Sequence, residues 1–385
     1  MAVRNVGKRM LWAKWSLCAA FFSAMAVSAG LWTNGRAFPT IAVYPWVPDL
    51  PPALCAFLAI ALVASILAVA FHPSPGLWAL APPIIGCAMA LFDVSRMQPW
   101  FFQYGLMFVA LALVRWDEPN SPRSRAAWAI CGSVVIGVYF WSGLQKANAI
   151  FADQVFPWLL HPLGEGLVAR LQPFWPVAPL VETSVAILLL LPRTRAWGLG
   201  LAITMHAIVL LALGPFGQNY DSIVWPWNFW ITVLAVILFA RNPAGILRLA
   251  WSEPLGKAIV VLVGVMPALN FVGLWDGFLS ASFYSGKLRD GWIYLTAEGV
   301  RHLPRAYVDG NKGLAQETTN RYRLDILLWS MSNMNAPPYG EPRFYPGIVR
   351  RLEQAGVPAQ DMTLVVQDPA SLTSSKRSVS TMPTR

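Results

Sequence analysis

Charge is scarce in this chain of 385 residues. Only 12% are Asp, Glu, Lys or Arg, and 19 acidic residues stand against 29 basic ones. Soluble domains carry about 25% charged residues, so a water-facing surface over most of the chain is excluded. Cysteine is scarcer, with 4 in all: Cys18, Cys55, Cys87 and Cys131 lie far apart, without a Cys-x-x-Cys pair. That spacing indicates neither a disulfide framework nor a zinc site, and each thiol falls in an apolar stretch where it packs as a small hydrophobe. No metal site is indicated. The net charge of +10 is not gathered into one patch, so nucleic acid is not an expected partner.

What is abundant is apolar sequence: 56% of residues are hydrophobic and 19 are tryptophan. Uncharged runs close to the roughly 20 residues that cross a bilayer recur along the first 275 positions. They predict an all-α polytopic membrane protein of about nine transmembrane helices at 15–32, 53–71, 76–92, 100–114, 126–145, 174–191, 196–213, 226–240 and 258–275. The third and fourth are short and joined closely through Asp93, Arg96 and Pro99; two full spans are preferred to one re-entrant unit. The first reads as an uncleaved signal anchor, since it is long and lacks a convincing cleavage site.

Lysine and arginine alternate between connections. Arg4, Lys8, Arg9 and Lys14 precede the first stretch; Arg115, Arg123 and Arg125 follow the fourth, Arg193 and Arg195 the sixth, and Arg241, Arg248 and Lys257 the eighth. The positive-inside rule makes these cytoplasmic and places the amino terminus inside, the carboxyl-terminal part outside and Lys146 at the outer edge.

From 276 the texture becomes mixed and polar, predicting a small extramembrane α+β domain over 276–368. Its β-like runs are WIYL, RLDILLW and TLVV, and residues 345–355 read as an amphipathic helix opened by proline and closed by Gly356. The stretch 369–385, rich in serine and threonine, is expected to be a disordered tail.

Polar groups inside apolar stretches carry the functional reading, because hydrocarbon penalises them. Lys146 ends the fifth stretch, where a snorkelling anchor and a desolvated amine serving as a neutral base are both open. Helical spacing puts Tyr139, Ser142, Gly143 and Lys146 on one side of that helix. Glu182 and His206 lie on helices joined by a tight PRTR turn, within reach of a direct hydrogen bond: either a polar staple or a proton relay. Aromatic residues crowd the outer boundary, including Trp32, Tyr44, Trp46, Trp100, Trp158, Trp225 and Trp227. An interfacial belt accounts for most of them; the WPWN of residues 225–228 is the least generic.

Three segments, VYFWSGLQKAN (138–148), QYGLMF (103–108) and the long run 180–217, resemble the vitamin K-dependent gamma-carboxylase and bacterial relatives with a horizontally transferred transmembrane domain. The resemblance covers the membrane part. It implies an integral enzyme of a bacterial inner membrane in which a lysine, matched by Lys146, deprotonates a vitamin K-like hydroquinone, and glutamate in a secreted or periplasmic peptide is carboxylated. The expected catalytic set is Lys146, Tyr139, Glu182 and His206. Trp100, Gln103, Tyr104, Trp225, Trp227 and Asn228 are expected to bind a quinone or hydroquinone. Two positions depart from the family: Trp100 stands where its active-site histidine falls, and Gln145 where a second lysine precedes the first. The alternative is a non-catalytic scaffold, or a lipid- or quinone-binding partner, with the same helical domain.

Overall fold

The computed structural model describes residues 2–240, 245–369 and 373–383. Arg241, one of the basic residues expected on the cytoplasmic side, lies outside them. The chain opens with α1 (Ala2–Val27) and continues with α2 (Pro52–Phe71), a 3-10 turn Gly76–Leu80 leading into α3 (Ala81–Phe92), α4 (Pro99–Leu111) and α5 (Pro122–Gln145). There follow α6 (Val177–Leu190), α7 (Arg195–Leu213), α8 (Val224–Phe239) and α9 (Pro254–Gly264), which a 3-10 stretch Met266–Val272 prolongs. Every expected apolar stretch is thus helical. Proline opens α2, α4, α5 and α9, where its missing N–H is one of the helix's unpaired donors anyway. Ser121 caps α5 by accepting from the Ser124 N–H. The first helix begins well before residue 15 and stops before 32, where the Ser28 hydroxyl donates back to Ala24 O at 2.8 Å.

Among the described residues, five helices are long and apolar enough to cross a membrane, or six if Glu165–Phe174 and Val177–Leu190, bent by 52°, form one span. Gly76–Phe92, Pro99–Leu111 and Val224–Phe239 are shorter apolar helices. A count of nine complete crossings therefore rests on the bent pair as one span and on these three, and α3 and α4, with 12 and 13 residues, are individually short of the roughly 20 that a straight span needs. Ile60 and Phe71 on α2 and Trp197, Ile208 and Leu211 on α7 are exposed. Such a wall would aggregate in water and suits lipid contact, as in an integral, multi-pass membrane protein.

Helix α5 is the centre of the helical part, packed by α4, α6, α8 and α9. The chain runs back and forth between two ends. Lys14 of α1 reaches the end of α2, 2.7 Å from His72 O, and Trp128 early in α5 donates to Leu238 O late in α8 at 3.1 Å. The end at which α5 finishes carries the cap.

In the cap, β1 (Asp290–Thr296), β2 (Leu314–Thr318), β3 (Arg321–Asp325), β4 (Met362–Gln367) and β5 (Val379–Pro383) form one antiparallel sheet in the order β2-β3-β1-β4-β5. Side chains of β1 alternate between buried and half-buried, as one covered face requires. Its two longer helices, α10 (Ile326–Met334) and α11 (Tyr345–Gln354), accompany it, with short helices Ala297–Arg301 and Arg305–Val308 between β1 and β2. The strand expected over RLDILLW stops at Asp325, because the Asp325 carboxylate accepts from Leu328 N–H at 3.0 Å and starts α10 instead. The tail is also corrected: its 379–383 segment is not disordered but pairs with β4, covering an edge that would otherwise stay open. Arg377 secures the approach through Asp290 and through Gly286 O at 2.6 Å.

Cap and helices share one hydrophobic core. Phe38, from the connection after α1, packs edge-on against fully buried Trp329 of α10 at 5.0 Å. Gln98 donates to Pro337 O at 3.1 Å and Arg351 to Thr40 O at 2.8 Å.

Candidate functional site

Lys146 follows the last residue of α5 and is buried. Its Nζ lies 2.8 Å from Glu182 Oε2, 2.6 Å from Ser142 Oγ and 3.1 Å from Ser142 O. Three acceptors thus engage all three donors of an ammonium, and the Phe283 ring centroid is 5.3 Å away. Glycine makes this geometry available. A Cβ on Gly143 would stand 2.6 Å from Thr183 N and 2.8 Å from Pro179 O, so α6 approaches α5 over bare backbone. Gly143→Ala is expected to push the two helices apart and cost about 1–3 kcal/mol. Thermal unfolding in detergent measures this, and an unchanged midpoint would contradict the close-approach account.

A second chain of contacts runs beside the first. Tyr139 Oη lies 2.7 Å from His206 Nε2, and His206 Nδ1 lies 2.7 Å from Asn228 Oδ1. Because Asn228 Nδ2 donates to Val224 O at 2.7 Å, its Oδ1 faces the imidazole and accepts from Nδ1–H, leaving Nε2 to accept from Tyr139. The direct Glu182–His206 hydrogen bond expected from the sequence is not formed. The carboxylate is taken by the Lys146 cation and both ring nitrogens are engaged by Tyr139 and Asn228. The four expected catalytic residues therefore come together as two adjacent pairs.

The expected quinone ligands separate. Trp100 is buried among Phe21, Trp32 and Tyr104, with centroids 5.8, 6.1 and 6.3 Å away, and its Nε1 has no hydrogen-bond partner. Gln103 accepts from Trp227 Nε1 at 2.8 Å, while its own Nε2 is unpartnered. Both Gln103 and Trp227 line a small apolar cavity of about 40 Å³ between α4, α5 and α9. Tyr104 is sealed within the aromatic cluster, Trp225 donates to Leu213 O at 2.9 Å, and Asn228 holds His206; none of these three lines either cavity described here.

The larger cavity, about 260 Å³, lies between the helical part and the cap. Trp100, Trp227, Phe283, Tyr220 and Tyr284 supply aromatic walls, and Asp221, Arg289, Asp290 and Arg377 charged ones. Arg377 pairs with Asp290, and Arg289 with Asp368 at 3.0 Å. Asp221 has no ion-pair partner among the described residues. Its Oδ2 accepts from Tyr284 Oη at 2.8 Å and its Oδ1 from nothing. Burial pushes the Asp221 carboxyl up to about 7, against the opposing effect of the Tyr284 hydrogen bond.

The loop that carries Phe283 and Tyr284 plugs this end of the molecule. Phe283 packs on Trp227 at 4.4 Å, Ser285 O accepts from Asn148 at 2.7 Å, and Lys287 donates to Gln145 Oε1 at 3.1 Å. All five non-glycine residues with positive φ in the described chain, Asn219, Asp221, Ala281, Tyr284 and Asn335, belong to loops around the two cavities. Such backbone is sparsely populated and persists only where the surroundings hold it. Sequence reasoning missed Asp221, Phe283 and Tyr284. A signal existed for the first, which is the one charged residue in the apolar connection 214–225.

Comparison with family models, curated proteins and solved structures finds no match to this chain.

Proposed function

We propose that this chain is an integral membrane protein that binds a quinone or quinol head group in the cavity between its helical part and its cap. The observation that carries the reading is that Trp100 and Asp221 both line this cavity and each holds one buried polar atom without a hydrogen-bond partner: the Trp100 indole N–H, a donor, and the Asp221 Oδ1, an acceptor. Buried polar atoms are normally satisfied, and a quinone carbonyl or a quinol hydroxyl supplies the missing partners. At about 260 Å³ the cavity is slightly below the usual ligand-pocket range of roughly 300–1,000 Å³, which suits a head group with its chain left in lipid. When bound, a quinol supplies two electrons and two hydroxyl protons.

The same proposal takes all nine apolar helices as crossings in a bacterial inner membrane, with the amino terminus cytoplasmic and the cap outside. The alternating basic connections support it, and a reporter fused after Asp276 tests it: cytoplasmic activity of the reporter reverses the orientation. Quinone co-purifying with the wild-type protein and detected by mass spectrometry is the expected result. Leu327→Trp, which places an indole in the cavity, is expected to reduce it at least about tenfold. Failure of the wild type to retain or be thermally stabilised by any added quinone rejects the reading.

A catalytic version, resembling the gamma-carboxylase with Lys146 as base and a peptide glutamate as substrate, is favoured by one observation. Phe283 touches both the Lys146 ammonium and the cavity. It requires quinol-dependent incorporation of labelled carbon dioxide into glutamate peptides, abolished in Lys146→Ala; no incorporation by the wild type removes it and leaves the binding reading.

A further inference from the structure

We infer that Asp221, and not Lys146, is the group of this chain that takes the hydrogen bond, and the proton, of a bound quinol hydroxyl; the inference rests on the quinone-binding reading above. The two candidates differ in geometry. Lys146 has all three donors engaged by Ser142 and Glu182 and is not part of the cavity wall. Asp221 lines the cavity, with one oxygen unpartnered and the other held by the Tyr284 hydroxyl. A carboxylate presents acceptors only, so in its ionised form it suits a hydroxyl and repels a carbonyl oxygen.

The backbone holds the group in place. Asp221 and Tyr284 both adopt left-handed φ, at 50° each, on two loops distant in sequence that meet at their shared hydrogen bond. The Tyr284 ring is stacked on Trp158 at 6.1 Å, so the donor to Oδ2 does not swing away. The other charged groups facing the cavity are Arg289, Asp290 and Arg377, which pair among themselves and with Asp368, and the phenol of Tyr220 stands beside them. None neutralises Asp221.

The proton step balances simply. The O–H bond of the hydroxyl breaks, an O–H bond forms on Asp221 Oδ1, and the electron pair stays on the ligand oxygen; no oxidant is consumed. Burial raises the carboxyl to about 7, so above that pH Asp221 accepts from a hydroxyl, and below it the protonated acid donates to a carbonyl. Preference for the reduced over the oxidised ligand therefore rises with pH through about 7.

The test measures affinity of the full-length protein in detergent for 2-methyl-1,4-naphthoquinol and for 2-methyl-1,4-naphthoquinone, without oxygen, from pH 5.5 to 8.5. Wild type is expected to favour the quinol by about tenfold at the alkaline end and to lose that preference at the acid end. Asp221→Asn is expected to flatten the dependence. Tyr284→Phe keeps the ring and removes a hydrogen bond that favours the carboxylate, so it moves the midpoint to higher pH. Binding of both forms with a pH-independent ratio in wild type, or the same profile in Asp221→Asn, overturns the inference and leaves the binding reading standing. Absence of binding by either form overturns both.

Discussion

Replacing Lys146 by methionine should lower stability in detergent micelles by about 3–5 kcal/mol, and adding Glu182→Leu to that variant should restore most of the loss. Both side chains of the pair are largely buried, at 11% and 14% exposure, with 2.8 Å between nitrogen and oxygen. Deleting the cation leaves a carboxylate without its counter-charge in a poorly hydrated place, and that desolvation cost dominates any packing that methionine preserves. Removing both charges abolishes the cost, so the double-mutant cycle should show a coupling of several kcal/mol. Additive single effects below about 1 kcal/mol would mean that the pair is wetted like a surface ion pair. The outcome bears on function, because a strongly coupled pair is a structural clamp between α5 and α6. A base at Lys146 would then have to give up one of its three contacts before accepting a proton.

The sequence carried much of this arrangement because helix periodicity and hydrocarbon exclusion are local rules. Apolar length located α1 to α9, the end of an apolar run located Lys146, and the spacing of three and four put Tyr139 and Lys146 on one side. Rotation of one helix about its axis relative to another is not local. Glu182 and His206 face different partners, Lys146 and Asn228, and no single-helix pattern distinguishes those choices. Boundaries were lost where one capping side chain overrode propensity. Asp325 turns a β-like run into α10, and the open edge of β4 recruits a polar tail that has little apolar content of its own. The Asp221 cavity was least legible, since it forms where three loops far apart in sequence meet, 219–223, 281–288 and the connection after α10.

Asp93→Ala should be comparably damaging, with a loss of about 3–5 kcal/mol, although Asp93 lies in a loop. Its carboxylate binds Arg36 on one side and stands 3.9 Å from Arg96 on the other, and all three side chains are buried, at 0–3% exposure. It also accepts from the Ser95 N–H at 3.2 Å, capping the turn that separates α3 from α4. Without it two guanidinium groups remain in the interior with no acid between them. Arg96 keeps contacts to Leu31 O at 3.0 Å and Met89 O at 2.8 Å, but these are neutral acceptors and do not balance charge. The exposed pair of Arg115 with Asp117 provides the contrast: both side chains are more than half exposed, so Asp117→Ala should change stability little. The damage should also reach the cavity. Arg96 ties the segment containing Leu31 and Trp32 to the start of α4, where Trp100 packs on Trp32 at 6.1 Å. The same connection carries Phe38 into the cap against Trp329. Loosening it should therefore raise protease cleavage within 33–50 and, under the proposed quinone binding, reduce quinone retention together. Retained quinone in a destabilised Asp93→Ala protein would show that the Trp100 wall is held from elsewhere; a loss no larger than that of Asp117→Ala would show that water reaches the two arginines and supplies what Asp93 gave.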